Sequence, residues 1–161
     1  MNVVTKRLFT MIWSIPFIAI SSLSIPTAIK SSSAATLVEH GKYLVDGIAG
    51  CGNCHTPRGG PMKGKFLAGG NSFGGPKAPF KSYAPNITPD NDTGIGKWTN
   101  AQLIVSIREG KRPDGSVIGP PMAIEFYHGM SDRDAKAIVA YMRTVTPVKN
   151  ATPKSVYRIP L

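Results

Sequence analysis

Cys51-Gly52-Asn53-Cys54-His55 constrains this chain more than any other stretch. It is C-x-x-C-H, the attachment pattern for a c-type haem. Two thiols three positions apart can add to the two vinyl groups on one edge of a porphyrin. The next residue, His55, is then held beneath the ring, where an imidazole nitrogen can ligate the iron. Gly52 and Asn53 suit a tight excursion of the chain, because both tolerate unusual backbone angles. The chain has 2 cysteines, so one haem uses both.

Three other uses of a cysteine pair fit less well. A zinc site needs four ligands, and the other histidines, His40 and His128, show no ligand pairing. A thioredoxin-like pair belongs in a βαβ pattern, which this sequence lacks. A small disulfide scaffold carries more cysteines. The expected cofactor is therefore one covalent haem c with its iron.

The amino terminus reads as an export signal. Lys6 and Arg7 precede an apolar stretch from Leu8 to Ile20, and small residues suited to cleavage follow at Ser31-Ser32-Ser33-Ala34-Ala35. Residues 1–35 are expected to be a signal peptide, with a mature start near Thr36. An uncleaved membrane anchor is the alternative, since Leu8 to Ile29 is almost long enough to span a bilayer. Either way the domain lies on the periplasmic side. The net charge is +10, and 16 basic against 9 acidic residues from Thr36 onward leave +7. These charges are scattered, with no basic run and no nucleic-acid motif. They suit either steering toward an acidic redox partner or solubility.

The periodicity predicts a helix over Thr36 to Ala49, with Leu37, Tyr43, Leu44, Val45 and Ile48 as its apolar stripe. Gly41 and Gly47 within it suggest close packing or a helix end. From Thr56 to Lys97 the chain is rich in Gly and Pro, which predicts a long loop that packs on the porphyrin. Thr99 reads as the cap of a helix from Asn100 to Glu109, closed by Gly110, with Leu103, Ile104 and Ile107 inward. Ser131-Asp132-Arg133-Asp134 resembles a capping box opening a helix from Asp132 to Thr144. No strands are expected. The fold class is all-α, with a domain over residues 36–149 and a carboxy-terminal tail without periodicity over 150–161.

One axial position on the iron remains for a second ligand. Met142 fits the buried stripe of the last helix, and Met62 is too near His55 to reach the opposite face. Met130 reads as a hydrophobic staple beside Ser131. Met122 follows Gly119-Pro120-Pro121, a stiff segment that can aim a thioether. Its place in the chain leaves room for the long loop and one helix between it and His55. It is the expected ligand, and a Met/His pair suits electron transfer.

In order, the helix, C-x-x-C-H, Gly/Pro-rich loop, helix, Pro-Pro-Met and capped last helix resemble a class I cytochrome c. Ala84-Pro-Asn-Ile-Thr-Pro-Asp90, Thr93-Gly-Ile-Gly-Lys-Trp-Thr99 and Arg112-Pro-Asp-Gly115 narrow the resemblance. They are similar to the cytochrome modules in subunits of periplasmic alcohol, aldehyde and gluconate dehydrogenases. The resemblance implies a cytochrome c-like fold of short helices with the loop wrapped around one haem. It implies that Asn86 and Ile87 line the haem and that the Trp98 NH bonds a propionate; plain core packing is the other reading of Trp98. Such subunits often carry three modules, and this chain carries one. The expected function is a periplasmic electron carrier with no catalytic residues. Its redox protein partner would lie on the dehydrogenase or terminal-oxidase side, with possible membrane association through the amino terminus and no nucleic acid bound. An open-site haem enzyme or sensor, or a dehydrogenase subunit, are the alternatives.

Overall fold

The computed structural model describes residues 33–158, with side chains from Thr36 onward. Residues 1–32 of the expected export segment lie outside the described residues. Among the described residues, no helix is long and apolar enough to cross a membrane.

Helix α1, Ser33–Tyr43, runs into a π-helical turn over Leu44–Ile48, which closes with Ala49 N donating to Leu44 O at 2.8 Å. The expected stripe divides there. Leu44 and Val45 are buried, whereas Tyr43 is 62% exposed and Ile48 72% exposed. The wider π turn accounts for the split, because a stripe drawn with α-helical periodicity goes out of phase across it. Gly41 has the close-packing role: a Cβ there would overlap the Ala137 carbonyl of the last helix. Gly47 faces open space and has no such role.

A one-turn helix α2, Cys51–His55, carries the haem motif. Helix α3, Asn100–Glu109, has the expected ends. Thr99 Oγ1 accepts from Gln102 N at 3.2 Å, Gln102 Oε1 accepts from Thr99 N at 2.8 Å, and Gly110 closes the helix at φ 67°. A short helix α4, Ile124–His128, follows Met122 and was not expected. Helix α5, Asp132–Met142, is capped by Ser131, whose Oγ accepts from Asp134 N at 3.1 Å. The reciprocal half of the box differs. Asp134 Oδ2 accepts from the Ser131 hydroxyl at 2.8 Å; its side chain is one methylene shorter than that of the usual Glu.

Helix α5 crosses α1 at Gly41, and Leu44, Val45, Leu103, Ile138, Val139 and Met142 share one core cluster. Arg143 ties the end of α5 to the turn before α3, donating to Ile95 O at 3.0 Å and Asn100 Oδ1 at 3.1 Å.

The fold is not purely helical. Strands β1, Ser72–Gly74, β2, Phe80–Tyr83, and β3, Val156–Tyr157, form an antiparallel sheet in the order β1-β2-β3. Phe73 pairs with Ser82, and Phe80 with Tyr157. Strands this short cannot show an alternating pattern. The third strand also comes from a tail far along the chain. The Thr56–Lys97 loop therefore holds a hairpin, and the tail supplies β3 at Val156–Tyr157.

Polar brackets hold the rest of that loop. Asn71 Nδ2 donates to Cys54 O at 2.8 Å and Thr56 O at 2.7 Å, and Asn71 Oδ1 accepts from Arg58 N at 3.0 Å. Buried Asn86 donates to Val148 O at 2.7 Å and Thr93 Oγ1 at 3.1 Å, and accepts from Thr88 N at 2.9 Å and Thr88 Oγ1 at 2.8 Å.

Candidate haem site

Helix α2 starts from a left-handed residue, but that residue is Gly50, at φ 56°. Gly52 lies inside the helical turn and takes no left-handed angle. Its role is space, since a Cβ would sit 3.2 Å from Phe66 Cε2. The expected tight excursion thus occurs one residue before the motif, and Cys51–His55 itself is a regular turn. Both cysteines are half-buried and are not joined to each other by a disulfide. Burial pushes the Cys51 thiol up to about 11.

His55 is 6% exposed, and its Nδ1 lies 2.8 Å from Pro85 O. A carbonyl oxygen only accepts, so Nδ1 carries the proton and Nε2 keeps its lone pair. Burial lowers the imidazole pKa, against the smaller opposing effect of the Pro85 bond. Burial thus favours the neutral ring, the form that ligates metals.

Pro85 is aimed by its surroundings. Gly70 N donates to Ala84 O at 2.8 Å, Ile87 N to Leu67 O at 3.0 Å, and Gly69 N to His55 O at 2.7 Å. Segments 67–70 and 84–87 therefore lie side by side. Gly69, at φ 74°, permits this approach, because a Cβ there would overlap the Pro85–Asn86 backbone. Leu67 is wholly buried at φ 60°. That angle is uncommon for a residue with a branched side chain.

These residues open onto a cleft of about 820 Å³, part of it continuous with solvent. Cys51, Cys54 and His55 line it, as do Ile87 and Met122. Met122 follows the Gly119–Pro121 segment and leads into α4. The other described methionines lie elsewhere. Met142 is 4% exposed in the core, Met130 packs on that core, and Met62 lines a separate groove beside the end of α5. His40 Nε2 is engaged by Asp134 Oδ1 at 2.6 Å, and His128 Nδ1 lies 3.3 Å from Arg108 O; neither lines the cleft.

Asn86 and Trp98 are not among the residues lining the cleft. Asn86 spends its amide on the loop brackets, and Trp98 packs against the core cluster. Sequence reasoning missed Pro85, which sits inside the quoted Ala84–Asp90 block but shows no polar side chain. It also missed Tyr127, whose hydroxyl donates to Ala49 O at 2.8 Å, and Tyr157, which reaches the cleft from the tail.

Two thiols on one turn, an imidazole with a free Nε2, a thioether and mainly apolar walls line this cleft. The two thiols and the imidazole are the groups that attach and ligate a c-type haem, and the apolar walls suit its ring. The family model described as Cytochrome c matches residues 38–146. The chain belongs to the cytochrome c family. It therefore carries covalent haem c with iron, and Cys51-x-x-Cys54-His55 fits the attachment motif. The chain is 37% identical over 119 residues to the fructose dehydrogenase cytochrome subunit of Gluconobacter japonicus, covering 73% of this chain and 23% of that one. It is 34% identical over 116 residues to the cytochrome c subunit of the quinone-dependent alcohol dehydrogenase of Gluconobacter oxydans, covering 69% and 24%. It is 33% identical over 146 residues to the gluconate 2-dehydrogenase cytochrome c subunit of Pantoea cypripedii, covering 90% and 32%. The chain thus spans a third or less of the length of each of these relatives. Membership of this family supports electron transfer as the function.

Proposed function

We propose that this chain is a periplasmic single-haem electron carrier with His55 and Met122 as the axial ligands of the iron. One observation carries the ligand assignment: of the described histidines and methionines, only these two line the cleft beside Cys51 and Cys54. Haem supplies a one-electron iron couple, and the protein holds and tunes it. Cys51 and Cys54 form the thioethers. Pro85 fixes the His55 tautomer and ring plane. The Gly119–Pro121 segment restricts the backbone behind the Met122 thioether. Ile87 and the other apolar walls exclude water. Asn86 acts at one remove by holding the loop, and Trp98 by packing on the core. A His/Met pair raises the reduction potential.

The ligand assignment is tested by comparing Met122→Leu with Met130→Leu. Met122→Leu is expected to abolish the red-end absorption band of Met–Fe(III), admit carbon monoxide or cyanide, and lower the potential. Met130→Leu is expected to keep the native spectrum. The reverse result would make Met130 the ligand, and a native spectrum in both would leave the distal position to another residue.

The basic, apolar and small-residue order of the first 35 residues supports export, which amino-terminal sequencing of protein from the periplasm tests. The charge of +7 beyond that segment supports steering toward an acidic redox partner. The rate of electron exchange should then fall as ionic strength rises. A second reading, a small cytochrome subunit of a dehydrogenase, is favoured by the names of the relatives. Co-purification with a dehydrogenase from native membranes would decide for it.

A further inference from the structure

The tail beyond residue 146 lies outside the family match, yet it contributes to the cleft. Val156–Tyr157 adds to the edge of β2, and Arg158 N donates to Pro79 O at 2.8 Å. Tyr157 lines the cleft, and its ring stands 6.4 Å from that of Phe80, tilted by 41°. Ser82 is two residues beyond Phe80, hence on the same face of β2. It also lines the cleft, at 6% exposure.

The hydroxyl–hydroxyl contacts there are long. Ser82 Oγ is 3.2 Å from both Tyr157 OH and Ser155 Oγ, whereas Ser155 Oγ is already engaged by Tyr83 N at 2.9 Å. Hydroxyl pairs usually bond at about 2.7–2.8 Å. A carboxylate within reach would displace such contacts, because a charge-assisted hydrogen bond is about twice as strong as a neutral one. Tyr127, on the same cleft, already spends its proton on Ala49 O at 2.8 Å. The polar groups of haem are its two propionates. Resting on the haem reading above, we propose that the carboxy-terminal strand completes the site, with Tyr157 and Ser82 donating hydrogen bonds to a haem propionate.

The test uses the holoprotein and the variants Tyr157→Phe and Ser82→Ala. Tyr43→Phe, 62% exposed on α1, is the control. The readouts are the reduction potential as a function of pH and the propionate bending vibration in resonance Raman spectra. A hydrogen bond to the ionised carboxylate holds its pKa down, and ionisation favours the ferric state. Removing the bond should move the pH range over which the potential falls upward by about one unit, with a shifted propionate vibration. Tyr43→Phe should match the native protein. Native curves and vibrations in both Tyr157→Phe and Ser82→Ala would overturn the proposal, as would an equal shift in the control. If Tyr157→Phe fails to accumulate, Ser82→Ala decides alone, since it removes only a buried hydroxyl. A native protein that releases its haem on acid-acetone extraction would instead refute covalent attachment.

Discussion

Helices α1 and α5 and the loop between Thr56 and Lys97 are built in opposite ways. The helix pair is held by contact. Gly41 lets α1 settle onto the Ala137 carbonyl, and Leu44, Val45, Ile138 and Met142 are buried together. The loop has few buried apolar anchors, chiefly Leu67, Ala68, Ala84 and Ile95. Its order comes from Asn71, Asn86 and Thr88 bonding to backbone groups, and from one face given to the cofactor. Packing tolerates little change in shape, whereas a polar bracket tolerates little loss of a partner. The loop, without an apolar core of its own, is the region expected to depend on the haem.

The largest test of this contrast removes the cofactor. Cys51→Ala with Cys54→Ala should sharply reduce holoprotein. In the haem-free protein, amide protection through 56–97 should fall by about two orders of magnitude, as for any site ordered by a tightly bound ligand. Protection in α1 and α5 should fall much less. Equal protection in the loop with and without haem would mean that the brackets suffice.

Gly41→Ala strikes the other region. Its new Cβ meets backbone, which cannot rotate away. A loss of about 3 kcal/mol is expected from such overpacking. Urea unfolding of the holoprotein measures it, while the haem spectrum should persist in the folded fraction. Asn86→Ala would leave buried Thr88 N without its partner and Val148 O with only the 3.4 Å contact from Thr88 Oγ1. Losing these bonds should cost about 2 kcal/mol. Because the bracket holds the segment that carries Pro85, this variant should also disturb the potential, which Gly41→Ala should not.

The smallest expected effect is that of the half-exposed His40–Asp134 pair, which joins α1 to the first turn of α5. An ion pair this open to solvent contributes little, so His40→Ala should cost about 0.5 kcal/mol. Hydrogen bonds from His40 and then Ser131 hold the Asp134 carboxyl below its ordinary range. A depressed carboxylate pKa stabilises the fold above the unfolded value and loses that effect as pH falls through the folded value. The difference between native and His40→Ala stability should therefore be present at neutral pH and shrink below about pH 4. A difference that grows as pH falls below about 4 would contradict this coupling.

Local signals were legible where one stretch of chain satisfies itself. The Thr99–Gln102 box, the Gly110 stop and the Ser131 cap need only neighbouring residues, and they lie where the periodicity predicts. The π turn after Tyr43 was not legible, because nothing in the composition of Leu44–Ile48 marks an extra residue in the turn. The split stripe, with Val45 buried and Ile48 exposed, follows from it. The sheet was hidden for a different reason. Strands this short have no pattern of their own, and β3 is defined only by its partner β2.

The haem motif and the family were determined by the sequence alone, because covalent attachment chemistry depends on residue types at short, fixed spacing. Met122 stood out in the same way through its adjacent prolines. The partner of His55 and the contribution of the tail were decided only by tertiary structure. Pro85 acts through a backbone carbonyl, which every residue has, so only the placement of 84–87 beside 67–70 singles it out. Tyr157 reaches the cleft because β3 pairs with a hairpin from a distant part of the chain, a contact that no local preference encodes.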